Sequence, residues 1–82
     1  MNPVRVIFRK WNDSGTTIAI FPDLPWSQGL LTSYEHVGQH GGCHYKSILK
    51  KTVLAIPREY VSLQNELEHI GYELRIVDRA VL

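Results

Sequence analysis

Between Tyr34 and Tyr45 the chain reads Tyr-Glu-His-Val-Gly-Gln-His-Gly-Gly-Cys-His-Tyr. Three of its four histidines, its single cysteine and three of its six glycines fall there. Imidazole and thiol groups bind metals or move protons. His36, His40, Cys43 and His44 are each competent zinc ligands, spaced His-x3-His-x2-Cys-His. Ligands four residues apart usually work from one face of a helix, and Gly38, Gly41 and Gly42 oppose a helix here. Structural zinc sites also pair two short ligand clusters on separate elements, and the sequence offers no second cluster. Zinc is therefore a minor reading, and no cofactor is expected. A Cys43 nucleophile with His40 or His44 as base needs an oriented base and a third group to hold it. Adjacent residues rarely point at one another, so the thiol reading is weaker still. The simpler reading makes the glycines turn formers and the imidazoles partners of nearby carbonyls or solvent. A recognition loop built on Tyr34, His36, Gln39 and His40 is compatible with it.

Elements on either side must position this segment. Val4 to Trp11 alternates, with Val4, Val6 and Phe8 on one face and Arg5, Ile7, Arg9 and Trp11 on the other, which predicts a strand. Asn12-Asp-Ser-Gly15 is turn chemistry, and Thr16 to Phe21 completes a hairpin. Pro22 to Gly29 reads as a loop, because two prolines in four residues remove backbone donors. Leu30 to Val37 is a third strand, which the glycine-rich segment then breaks. Tyr45 to Lys51 predicts a short helix, and Thr52 to Ile56 an extended link. Pro57 to Ile70 is the clearest helix. Proline suits its first position, Tyr60, Leu63, Leu67 and Ile70 form one apolar stripe, and Gly71 provides a left-handed stop. Tyr72 to Arg79 alternates as a last strand, with Tyr72, Leu74 and Ile76 inward. The expected fold is α+β: a small antiparallel or mixed sheet packed on one face by the 57–70 helix, the other face open.

Composition restricts function more than it reveals it. Eighty-two residues make one small domain spanning 1–82, with a thin core. A hydrophobic fraction of 44% argues against intrinsic disorder. Nine Lys and Arg against eight Asp and Glu give a net charge of +1, too weak a field to imply nucleic acid or an anionic membrane. One cysteine suits a reducing compartment, and neither a signal peptide nor a bilayer-length apolar run is visible, so the expected location is cytoplasmic.

Two surfaces invite a partner. Arg5, Arg9 and Trp11 share a strand face, and Arg75 and Arg79 share another; with the first and last strands adjacent, these five would form a phosphate- and base-binding face that Lys50 and Lys51 extend. Glu73 and Asp78 oppose that reading. Leu24-Pro-Trp26 offers an aromatic anchor held between prolines, suited to a protein partner or a second copy of the chain.

Tyr34, His36, Gly38, Gln39, His40 and Gly41 form a Tyr-x-His-x-Gly-Gln-His-Gly core. Together with Phe8-Arg-Lys10, Ala19-Ile-Phe-Pro22 and Glu66-Leu-x-x-Ile-Gly-Tyr72, this core resembles a family of short bacterial and mobile-element proteins of unknown function. The resemblance implies a bacterial origin and a shared fold, carries no activity, and includes neither Cys43 nor His44. The expected function is therefore a non-enzymatic, protein-binding or self-associating module. Nucleic-acid binding is the alternative, and metal binding at residues 36–44 the third reading.

Overall fold

In a computed structural model, residues 3–36 and 38–79 are described. Strands β1 (Val4–Trp11) and β2 (Thr17–Pro25) form the predicted hairpin. Its turn closes with the Trp11 N–H on the Thr16 carbonyl at 2.8 Å, and Gly15 takes φ 74°. β2 is followed by β3 (Leu31–Glu35) and β4 (Gln39–Cys43), then α1 (Tyr45–Lys51) and β5 (Thr52–Leu54). The chain ends in α2 (Pro57–Ile70) and β6 (Leu74–Ile76). The sheet runs β4-β3-β2-β1, and β1 then carries two short strands on its remaining edge. β5 pairs antiparallel with Arg9–Trp11, and β6 pairs parallel with Val4–Val6.

The α+β architecture stands as expected, with three local corrections. Residues 22–25 are strand, because β2 runs on to Pro25. A register shift between Phe21 and Pro25 takes up the prolines, which cannot donate to a regular ladder. The glycine-rich segment is also strand: Gln39–Cys43 pairs with β3 in unbroken register from Glu35↔Gln39 to Leu31↔Cys43. Glycine here serves a close approach. A methyl group on Gly42 would lie 2.8 Å from Cγ of Trp26, whose indole is seated where that side chain would stand. The last strand is only three residues long, and Ile76 is 40% exposed rather than inward.

Both faces of the sheet are covered, which corrects the open face. On one side Val6, Phe8, Ala19, Phe21 and Tyr34 meet Leu63 and Leu67 of α2. On the other, Ile7, Ile18 and Ile20 receive Ile48 of α1. Tyr60 extends the α2 stripe by stacking on Phe8 with ring centroids 4.4 Å apart. Ile70 falls off its end and is 51% exposed, because the sheet no longer lies beneath it. Gly71 ends α2 as predicted, its N–H meeting the Leu67 and Glu68 carbonyls.

Two carboxylates fix α2 at either end of this contact. Glu59 reaches back to the Ile56 N–H at 3.0 Å and takes Lys10 Nζ of β1 at 2.5 Å, while its carbonyl receives Thr17 Oγ1. Glu66, two turns later on the same stripe, reaches the β3–β4 hairpin. Apolar burial at Leu63 and Leu67 supplies the contact's free energy, and the two glutamates set its register. Replacing Leu67 by Ala should cost about 2–5 kcal/mol in chemical denaturation, whereas Ile70→Ala should stay within about 0.5 kcal/mol.

Candidate functional site

The chemistry-bearing residues of the central segment gather around Glu66. Antiparallel pairing places Tyr34 opposite His40, and both side chains face α2. The Tyr34 hydroxyl donates to Glu66 Oε2 and accepts the Gly38 N–H at 2.9 Å. His36 Nδ1 lies 2.5 Å from Glu66 Oε1, and an ionised carboxylate can only accept, so this nitrogen carries the hydrogen. His40 stands edge-on to Tyr34, with ring centroids 4.7 Å apart, and its Nε2 shares a 3.0 Å hydrogen bond with the Tyr72 hydroxyl. Tyr72 itself stacks on Phe21. Five side chains from β3, its turn, β4, α2 and the start of the last segment thus form one polar clasp over the core.

Its electrostatics follow from those bonds. Donation by Tyr34, and secondarily by His36, holds the Glu66 carboxyl below its usual range. The Tyr34 hydroxyl is pushed up, first by its bond to the carboxylate and then by burial. Tyr34 is 1% exposed, and both bonds of its hydroxyl run to groups of the fold. Tyr34, His36 and His40 are brought together around Glu66. Gln39 is exposed at the hairpin end, and Trp26 lies beside β4 over Gly42. The sequence reading gave Glu66 no role, although its glutamate falls on the Leu63–Leu67 stripe, where an inward carboxylate needs a partner.

The metal-ligand set does not converge. Strand alternation puts His40 and Cys43 on opposite faces of β4, and His36 is turned to Glu66. Among the described residues no group of three or more His, Cys, Asp or Glu side chains could hold a metal ion. Cys43 packs beside the Ile48 cluster, where burial pushes its thiol up, opposite to the shift a nucleophilic thiolate needs.

The first and last strands are neighbours, with Arg5 opposite Arg75 across the β1–β6 pair, while Arg79 lies beyond β6. Several members of the expected arginine face are already engaged. Arg5 grips Asp23 through two bonds of 2.6 and 2.8 Å. Arg9 bonds the Thr52 hydroxyl and carbonyl at the end of α1, and Trp11 Nε1 donates to Glu35 at 2.6 Å. Arg75 and Arg79 remain exposed.

A second site was not legible from the chain. β5 and β6 run toward each other along one edge of β1 and stop head to head near Phe8. The Ala55 N–H bonds the Phe8 carbonyl, and the Val77 N–H bonds the Val6 carbonyl. Where the two strands part, a groove of about 290 Å³ opens, walled by Leu54, Ile56, Pro57, Tyr60 and Ile76, with Asp78 as its charged member. Leu54, Ile56 and Ile76 are each 40–44% exposed, a high fraction for large apolar side chains meeting at one place. Val61, one turn after Pro57 on α2, is also exposed.

No protein-family model, curated protein or solved structure matches the chain. No helix among the described residues is long and apolar enough to cross a membrane.

Two outcomes test the clasp. Tyr34→Phe removes the hydroxyl that satisfies Glu66 and the Gly38 N–H, and should cost about 1–3 kcal/mol of stability by denaturant titration. Glu66, Glu59 and Asp23 all have lowered folded-state values, so their stabilisation is complete above the ordinary carboxylate range and disappears as pH falls through the lowered values. Tm should therefore fall on acidification below that range, and Glu66→Gln should flatten part of the decline.

Proposed function

We propose that this protein is a non-enzymatic binding module that docks a protein segment through the apolar groove between β5 and β6. The observation that carries this reading is the meeting of Leu54, Ile56 and Ile76, all large, apolar and 40–44% exposed, at a break in the sheet edge. A thin core gains most from burying such residues, and leaving them in water is costly unless a partner covers them. No strand among the described residues pairs with the outer edges of β5 and β6, and a sheet edge beside side-chain pockets is suited to capturing extended segments. Asp78 at the groove favours a basic residue next to the segment's apolar anchor.

An enzymatic reading draws less support from the site. The polar clasp is closed over the core, Tyr34 is buried, and the Cys43 thiol is shifted away from reactivity. A nucleic-acid reading needs Arg5, Arg9 and Trp11 to leave Asp23, Thr52 and Glu35.

Panning a random peptide library against the protein should enrich sequences that pair a large apolar residue with Lys or Arg. Leu54→Lys with Ile76→Asp should abolish that enrichment while leaving Tm within a few degrees. Failure to enrich, or enrichment that survives the double substitution, would overturn the groove. Retention of single-stranded DNA with steep salt dependence would instead move the function to the basic residues.

A further inference from the structure

The opposite edge of the sheet carries a second inference, independent of the groove. β4 is the outermost strand, and among the described residues nothing pairs with its outer edge. Natural sheets protect such edges with charges, proline, bulges or short length. β4 has none of these: it reads Gln-His-Gly-Gly-Cys, is five residues long and holds regular register with β3 throughout. By contrast, β5 and β6 are three residues each and divide the other edge between them.

We propose that β4 pairs antiparallel with β4 of a second copy, about a two-fold axis through Gly41, to give a sheet continuous across the dimer. The sequence of β4 is self-complementary in that register. Gln39 falls opposite Cys43 on one face, His40 falls opposite Gly42 on the other, and Gly41 meets itself on the axis. Off the axis larger side chains thus meet smaller ones, on the axis glycine meets glycine, and no charged side chain is brought against its like. The indole of Trp26, 47% exposed and seated over Gly42, then meets the second copy's His40, whose far side is held by Tyr72. An exposed tryptophan on a rigid glycine platform is the kind of anchor on which interface energy concentrates. The contact uses the same patch on both copies and closes, so it ends at a dimer rather than a filament. It leaves the β5–β6 groove free at each end, giving the dimer two docking sites.

Gln39→Cys tests the register with the native thiol. Residues 39 and 43 lie about 13 Å apart along one strand, beyond the reach of a disulfide within a chain. Opposed residues of paired strands lie about 4.5–5.5 Å apart, within that reach. Mild oxidation should give a covalent dimer from Gln39→Cys and none once Cys43→Ser is added. In sedimentation, the unsubstituted protein should dimerise with concentration, and Gly41→Lys, which sets two ammonium groups on the axis, should weaken dimerisation by about tenfold or more. A methyl group at Gly41 would meet only Ser33 Oγ at 3.7 Å, so this variant should fold and should match the parent Tm at concentrations where the parent is monomeric. A monomer at every concentration, or a dimer untouched by Gly41→Lys, would overturn the proposal. In the second case, loss of the dimer on Leu54→Lys would assign it to the groove.

Discussion

The Tyr34 hydroxyl bonded to the Glu66 carboxylate is the interaction on which the rest of this fold depends. It joins the centre of β3 to α2 at the margin of the main core, where a partly covered carboxylate is stabilised by its donors. Around it, the Gly38 N–H fixes the β3–β4 turn, and His36 completes the carboxylate's partners. Once that turn is fixed, β4 can pair regularly with β3, and His40 arrives beside Tyr72. One part-buried bond thus ties together a hairpin and a helix, with the last segment joined to them through His40 and Tyr72. Buried polar networks of this kind stabilise only when every member is satisfied. No side-chain polar atom among the described residues is buried without a partner.

The clasp also separates structure from function. Residues that look chemical in isolation are consumed in holding the fold, while exposed apolar residues gather at the periphery of the sheet. β1 is central to this arrangement: its inward residues enter both cores, and its free edge is divided between β5 and β6. That division has a physical consequence. Two strand ends meeting head to head cannot continue the ladder between them, so the chain turns away and apolar residues at the turn stay in water. At the far edge, β4 is regular and unprotected for a different reason. Trp26 demands glycine at position 42, and glycine leaves that edge without side chains that would shield it. An apolar groove and an unpaired strand edge thus arise at opposite ends of one sheet, each as the residue of a packing solution elsewhere.

The order of strands, helices and turns is largely legible in the sequence. Alternation from Val4 to Trp11, Asn12–Gly15 turn chemistry and the Pro57–Gly71 signals act within a few residues, so local reading recovers β1, the first turn and α2. The extension of β2 through Pro22 and Pro25 is not legible, because whether a proline is tolerated depends on which neighbour it faces. The glycine-rich strand is hidden likewise: Gly41 and Gly42 lack strand propensity, and tertiary pairing with β3 overrides it. Within the site, Tyr34, His36 and His40 stand out by type and spacing. Glu66 is 26 residues beyond His40, and only the packing of α2 on the sheet brings it to them.

By itself, then, the sequence determined the local elements and singled out the histidine-bearing hairpin, because propensity, periodicity and turn chemistry are short-range. Tertiary structure decided what those residues do. It placed His40 and Cys43 on opposite faces of one strand, turned His36 to Glu66, paired Arg5 with Asp23, and covered the sheet's second face with α1. Such outcomes depend on strand order and register, which follow from long-range burial of both sheet faces at once.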